Sequence, residues 1–326
     1  MNILVVGGAG YIGSHMVKRL GIEKCSVTTL DNLSGGYRDA VLYGDFIQGD
    51  AGDASLLGRL FAARQFDAVM HFASFIQVGE SVRSPMKYYR NNVVKTLTLL
   101  EAMKTAAVKR FIFSSSAAIF GEPQTALIKE DHPASPINPY GRSKLMVEQA
   151  LGDYDRAYAL RSVSLRYFNA AGADSEGQLG ERHEPETHLI PLVLQAASGR
   201  RRNIQVFGRD YETPDGTCVR DYIHVEDLCD AHWLALQSLM AGGESTAYNL
   251  GNGNGFSVQE VIDAAAKVTN RSIKVVDAPR REGDPARLVA DATKAKQELG
   301  WQPRRAELDR IVGDAWHWEE SLECVQ

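Results

Sequence analysis

Ile3-Leu4-Val5-Val6-Gly7-Gly8-Ala9-Gly10-Tyr11-Ile12-Gly13 is the stretch on which the reading of this chain turns. Its four leading residues form an unbroken apolar run, as strands buried on both faces of a parallel sheet do. From Ile12 to Leu20 apolar residues recur at helical spacing. The glycines between satisfy both G-x-x-G-x-x-G and G-x-G-x-x-G, in the strand-before, helix-after context that gives such a motif meaning. Glycine permits a tight turn and close backbone approach to a ligand. The opening turn of the helix offers unpaired N–H groups and a partial positive charge to a pyrophosphate. Eighteen residues beyond Gly13, a second apolar run, Ser26–Leu30, ends at Asp31. A carboxylate there is placed to accept hydrogen bonds from adenosine ribose hydroxyls and would repel a 2′-phosphate, which selects NAD over NADP. Gly49-Asp50-Ala51, after a third short strand, is expected to flank the adenine, with capping of the next helix as the alternative for Asp50.

The alternation continues outward. Ala68–Phe72, Phe111–Ser114 and Ser162–Arg166 read as buried strands, and Leu56–Ala63 and Asn91–Met103 as helices. The fold class expected is α/β: a doubly wound parallel sheet of the Rossmann type with a smaller, interleaved substrate-binding α/β lobe. Long Gly-, Pro- and charge-rich segments, Gly172–Glu186, Gly208–Thr217 and Asp277–Pro285, mark the lobe. The helix around Glu226–Leu239 and the strand Ala247–Leu250 return to the first domain. Residues 1–168 and 222–250 are thus assigned to the cofactor domain, and 169–221 and 251–326 to the lobe.

A net charge of −5 over 326 residues leaves no broad basic surface, which argues against nucleic acid as a partner. Cys25, Cys218, Cys229 and Cys324 lie far apart, with no C-x-x-C pair, and read as free thiols in a reducing compartment. A strand opens the chain where the apolar core of a leader would stand, and no run of 18 or more apolar residues occurs. The expectation is a cytoplasmic protein with no membrane partner.

Two further segments carry chemistry. Phe113-Ser114-Ser115-Ser116 ends a strand at the carboxyl edge of the sheet, and Pro139-Tyr140-Gly141-Arg142-Ser143-Lys144 opens a helix. Tyr140 and Lys144, four residues apart, project from one face of it. With an ordinary pKa of about 10, a tyrosine is a poor base. A lysine ammonium one turn away, together with the charge of an oxidised nicotinamide, would favour the phenolate. Ser116 can hydrogen-bond the same substrate oxygen.

These residues, with the longer runs Leu165-Arg166-Tyr167-Phe168-Asn169, Val219-Arg220-Asp221-Tyr222-Ile223-His224-Val225 and Pro279-Arg280-Arg281-Glu282-Gly283-Asp284, make the chain resemble the extended short-chain dehydrogenase/reductases that act on nucleotide sugars. The resemblance covers nearly the whole length. It implies reversible, NAD-dependent C4 epimerisation of UDP-glucose and UDP-galactose through a transient 4-keto sugar, and a homodimer joined through the helices at 85–105 and 139–158. By the same resemblance Tyr140 is the general base, Lys144 lowers its pKa and contacts the nicotinamide ribose, and Ser116 assists. It implies NAD contacts from Gly7, Gly10, Tyr11, Ile12, Gly13, Asp31, Asn32, Asp50 and Ala51. Phe72, Ala73, Asn91, Ser114, Tyr140, Lys144 and Tyr167 complete that set. Around the UDP-sugar it implies Arg220 and Arg281 on the diphosphate and Asn169 and Leu189 as hydrogen-bonding partners. Phe207 lines the uridine pocket with Tyr222 beside it, Asp284 meets the ribose, and Ser116 and Tyr140 meet the hexose. Three positions depart from the family pattern. Ile76 stands where lysine is common, and Phe120 replaces the usual tyrosine. Leu288, at the position that gates the N-acetyl space, is of intermediate size and implies some tolerance for UDP-N-acetylhexosamines.

Other features read as structural. His183-Glu184-Pro185-Glu186-Thr187-His188 has its histidines five apart with a proline between, so they are not expected to share a helix face, and no metal is expected. Ser257 with Glu260 reads as a capping box, and Arg200-Arg201-Arg202 as a solvated helix end. A sugar-nucleotide 4,6-dehydratase would need acids after the serine, where Ala117-Ala118 stand. A pentose or uronate 4-epimerase is a closer alternative. A non-catalytic NAD-sensing regulator would have no need of Tyr140 and Lys144.

Overall fold

The computed structural model describes residues 1–281 and 284–323; Cys324, and Glu282 and Gly283 of the 279–284 run, lie outside the described residues. The strands in chain order begin with β1 (Asn2–Val6), β2 (Ser26–Asp31), β3 (Asp45–Gln48), β4 (Ala68–His71), β5 (Arg110–Ser116), β6 (Arg161–Tyr167) and β7 (Asn169–Ala171). They continue with β8 (Ile204–Phe207), β9 (Val219–Arg220), β10 (Tyr222–His224), β11 (Thr246–Leu250), β12 (Phe256–Ser257), β13 (Val275–Ala278) and β14 (Arg287–Leu288). Seven of them form one parallel sheet in the order β11-β6-β5-β4-β1-β2-β3. Strand order reverses between β1 and β4, and beyond the carboxyl ends of strands at such a switch point an open α/β sheet leaves a crevice for ligand.

Side-chain alternation explains why both faces are covered. Ile3 and Val5 face one core with α1 (Tyr11–Ile22), whereas Leu4 and Val6 face the other with α2 (Ala54–Ala63). Helices α3 (Val78–Arg83), α4 (Pro85–Tyr88), α5 (Lys95–Thr105) and α6 (Pro139–Tyr158) follow. The expected helix Asn91–Met103 is in fact a π-helical turn, Tyr89–Val94, running into α5, so the apolar stripe shifts phase at the asparagines. Phe72 lies just past the end of β4.

The lobe packs α7 (Leu189–Ser198), α9 (Val258–Thr269) and α11 (Leu308–Glu323) around Val193, Val261, Ile311 and Val312. Between α7 and α9 in the chain, α8 (Val225–Met240) returns to the large sheet, where it packs on α1, β5 and β6. The segment 292–301, containing α10 (Thr293–Glu298), departs from the assignment of 251–326 to the lobe. Ala292, Ala295 and Trp301 fill the core under α8, and Trp301 Nε1 donates to Asp227 O at 2.9 Å. Ser257 and Glu260 do form a capping box. Arg200 is not simply solvated, because its guanidinium grips the buried Glu319 of α11.

Candidate active site

Gly7 leaves β1 with φ +83°, and a Cβ there would lie 2.4 Å from Ala73 N. A Cβ on Gly13 would lie 2.1 Å from the Gly7 carbonyl oxygen. These two glycines close the turn. At Gly10 the only atom that an added Cβ would meet is Gly7 O at 3.5 Å, an ordinary contact, so this glycine is not packed shut as Gly7 and Gly13 are. Gly10 caps α1 without a side-chain bond, which leaves the N–H groups of Tyr11, Ile12 and Gly13 without partners inside the helix. The Asp31 carboxylate accepts from Ala9 N at 3.0 Å and Leu33 N at 2.8 Å, fixing both oxygens at the mouth of the turn. Asp50 does not cap α2, since Asp53 does so by accepting from Leu56 N at 3.0 Å. Asp50 instead accepts from Asn32 Nδ2 at 2.9 Å and Lys95 Nζ at 2.6 Å. Burial would raise its pKa, but Lys95 and the Gly52 N–H hold the carboxyl below the usual range. Ala51 is buried beside it.

Phe72 N and Ala73 N both donate to Val6 O, which presses the end of β4 against the glycine turn. Asn91 Nδ2 donates to Asn92 Oδ1, and Asn92 in turn bonds Phe75 N, Phe75 O and Ser143 Oγ, stitching the π-helical turn to α6. Asn138 caps α6 by accepting from Gly141 N at 2.9 Å, and a Cβ on Gly141 would sit 2.3 Å from Ala118 O. The start of α6 is therefore pressed onto the segment that follows Ser116, which sets Tyr140 beside Ser116, whose hydroxyl oxygen accepts from Ala118 N at 3.1 Å. Lys144 Nζ is buried, donating to Ser114 O at 2.7 Å and Ser74 Oγ at 2.8 Å. Its third N–H has no protein partner among the described residues. The ammonium lies 5.9 Å from the centre of the Tyr140 ring. Tyr167 hydrogen-bonds Ser114 Oγ.

Burial pushes the Tyr140 pKa up, with Ser116 opposing it. Burial also pushes Lys144 down to about 7, against the pull of Glu148 one turn on. A phenolate here therefore needs positive charge brought against the ring, and Lys144 stands where that charge is useful. The uncrowded Gly10, the unpaired N–H groups of α1, the two-oxygen grip on Asp31 and the spare N–H of Lys144 together fit a dinucleotide.

In the lobe, Arg220 at the end of β9 forms an ion pair with Asp284 and donates from its other terminal nitrogen to Val219 O at 2.8 Å. Asp284 is thus first a partner of Arg220, since a carboxylate beside a guanidinium pairs before it meets a sugar hydroxyl. Arg281 stacks 3.9 Å from the centre of the Phe207 ring. Asn169 Nδ2 donates to Asp221 O at 3.0 Å, Tyr222 is buried beside Arg220, and Leu189 begins α7. Leu288 packs against the cluster of Ala117, Ile119, Phe120 and Ile128, on the segment between Ser116 and α6. Ile76 is exposed, on the loop before α3. The sequence gives no sign of Ser74, which positions Lys144, or of Tyr211, and the role of Asn92 in anchoring α6 appears only in the fold. The Tyr211 hydroxyl is buried without a partner among the described residues, beside Arg220 and Asp284. Only the adjacency of β4 and β5 brings Ser74 to Lys144, and no local pattern marks it.

The two histidines of the 183–188 segment share no helix face, as expected, yet they do come together. The segment is a loop that folds back, and the rings lie 5.4 Å apart between centroids.

Residues 3–251 match the NAD dependent epimerase/dehydratase family. The chain is similar to the UDP-glucose 4-epimerase of Rhizobium leguminosarum bv. trifolii, at 52% identity over 97% of each chain. It superposes on the UDP-glucose 4-epimerase of Brucella ovis solved in complex with NAD, with TM-score 0.95, 49% identity, and 97% and 98% of the two chains covered. It also superposes on the Bifidobacterium longum enzyme of the same name, solved with NAD+ and UDP, at TM-score 0.93 and 40% identity over 98% of each chain.

Proposed function

The chain belongs to the NAD dependent epimerase/dehydratase family, and from that premise we propose that it catalyses the reversible C4 epimerisation of UDP-glucose and UDP-galactose, with NAD as its cofactor. The observation that carries this reading is the meeting of Tyr140, Ser116 and buried Lys144 at the carboxyl edge of the same parallel sheet whose β1 ends in the glycine turn. Bound NAD supplies a hydride acceptor that can return the hydride to C4. Tyr140 takes the proton of the sugar 4-hydroxyl and gives it back at the 4-keto stage. Ser116 hydrogen-bonds the same oxygen and orients it. Lys144 steadies the phenolate and turns its spare N–H to the nicotinamide ribose. Gly7, Gly10, Tyr11, Ile12 and Gly13 cradle the pyrophosphate, Asp31 and Asn32 meet the adenosine ribose, and Asp50 and Ala51 flank the adenine. Phe72, Ala73, Asn91, Ser114 and Tyr167 line the nicotinamide side.

Epimerisation needs the nucleotide gripped and the hexose free to turn over. In this assignment Arg220 and Arg281 hold the diphosphate, bidentate forks matching its geometry. Phe207, Tyr222, Asn169 and Leu189 hold the uridine end, and Asp284 sets the orientation of Arg220. Residues 1–168 with 222–250 act as the cofactor domain and the remainder as the sugar-nucleotide lobe, save for 292–301, which packs with the former. Among the described residues no helix is long and apolar enough to cross a membrane. Val82, Met86 and Val94 are exposed apolar side chains on consecutive helical segments, the last two within 85–105, which supports a homodimer through 85–105 and 139–158. Purified protein incubated with UDP-galactose and no added cofactor should form UDP-glucose. Release of NAD on denaturation without any product from that incubation would favour a non-catalytic role.

Leu288 favours a second substrate class. Its side chain packs against the cluster that holds Phe120 and Ile128, where a leucine leaves more room than a tyrosine would. Turnover of UDP-N-acetylglucosamine at a measurable fraction of that of UDP-glucose is expected; undetectable turnover would reject the idea.

A further inference from the structure

The loop that precedes α7 brings together four side chains that the proposed reaction does not use. We infer that Glu181, His183, Glu186 and His188 form a binding site for one divalent cation of the zinc class. Each offers one ligand atom, and the four atoms lie within 4.8 Å of one another. His183 Nδ1 lies 2.9 Å from a Glu181 oxygen and 3.7 Å from a Glu186 oxygen, and His188 Nδ1 lies 2.7 and 3.1 Å from the same two carboxylates. A tetrahedral zinc site with bonds of about 2.0–2.2 Å spaces its ligand atoms roughly 3.3 Å apart. The four His–Glu distances bracket that spacing, and no pair of the four ligand atoms has more than about 1.5 Å to close around an ion.

Charge points the same way. Both glutamate side chains are 6% exposed, and among the described residues no lysine or arginine reaches either carboxylate. With neutral imidazoles the cluster carries two negative charges inside the protein, which two protons or one divalent ion can neutralise. Uptake of the ion by the protonated cluster releases two protons, one from each imidazole, and leaves two nitrogen and two oxygen donors on it. That mixed set suits zinc rather than magnesium or calcium, which take all-oxygen shells of six or more ligands.

The surroundings hold the ligands in place. Trp318 Nε1 donates to Glu181 O at 3.1 Å, and Glu186 Oε1 accepts from Thr187 N at 2.6 Å and His188 N at 2.8 Å. The Tyr11 ring stands edge-on to His183 with centroids 6.4 Å apart. The His188 side chain is 40% exposed, which gives the ion a way in. Because Tyr11 opens α1 and His188 precedes α7, an ion here would tie the glycine turn to the helix assigned to the uridine end. The site stands independently of the catalytic assignment.

Chelator-treated full-length protein titrated with Co²⁺ and Zn²⁺ tests this. One Co²⁺ per chain is expected, with the visible absorption of a tetrahedral nitrogen–oxygen site and no thiolate charge-transfer band. The apparent affinity should fall at least about tenfold from pH 8 to pH 6, because protons compete for the imidazoles. The double substitution His183→Ala with His188→Ala should remove the uptake. A thiolate band would place the ion on one or more of the four cysteines and overturn the proposal. So would absence of saturable uptake by the unsubstituted protein, a result that holds even if the double variant fails to fold.

Discussion

Burial drives Tyr140 and Lys144 in opposite directions, the phenol up and the ammonium down to about 7, so each group favours its neutral form until a charge arrives nearby. Lys144→Met should therefore lower kcat by about 10²–10⁴-fold, with little change in KM for UDP-galactose, because the ammonium acts on the phenolate and not on the nucleotide. Steady-state kinetics on protein with matched NAD content would check it. Asp31 accepts from two backbone N–H groups, Ala9 in the glycine turn and Leu33 in its own loop, and each oxygen keeps a lone pair for a ligand. Asp31→Ala is expected to strip the copurifying NAD, seen as loss of the dinucleotide from heat-denatured protein. Asp31, Tyr140 and Lys144 were legible in the sequence because each follows a fixed spacing from a strand end or along one helix face. Ser74 was not, since its contact with Lys144 spans two strands that only the folded sheet sets side by side.

Strand, glycine turn and helix form one element whose geometry the sequence states almost completely. Gly13→Ala would put a methyl 2.1 Å from backbone at Gly7, where no rotamer gives relief. The expected result is loss of bound cofactor and a destabilisation of about 1–3 kcal/mol, read by denaturant unfolding. The loop 181–188 was not legible, because its residues meet without any periodic spacing. In it, burial alone would lower both imidazoles, but Glu181 and Glu186 more than reverse that, raising His183 to about 9 and His188 to about 10. Glu186 is correspondingly lowered. A raised histidine pKa contributes stability in full below the ordinary value of about 6.5, and the contribution disappears as pH climbs through the folded values. The lowered Glu186 contributes above the ordinary carboxylate range and loses its share on acidification. Tyr11, the titratable group packed on the loop from α1, has a raised pKa and stays neutral through this window. The gap in Tm between the parent and His188→Gln, measured with a chelator present, should be widest near pH 6 and shrink towards pH 10. A constant gap would mean that the pairing does not depend on charge.

Two lobes share one chain by passing it back and forth, and the sequence showed this through the return of α8 and β11 to the large sheet. What it hid was the fate of 292–301, a polar-looking stretch whose buried residues are spread among lysines. Trp301 is fully buried in the first core. Trp301→Ala should cost about 3–5 kcal/mol and loosen the tie between the lobe and α8, measurable as a lower denaturant midpoint. If the proposed homodimer forms across the exposed Val82 and Met86, aspartate at both positions should give a monomer in sedimentation without unfolding it. The molecule as a whole rests on one assignment, the phenol of Tyr140 as the group that moves the proton of the 4-hydroxyl. The most direct test is the rate of UDP-galactose conversion by Tyr140→Phe that still carries its NAD. Loss of at least about 10²-fold in kcat is expected, and turnover equal to that of the parent protein would contradict the account.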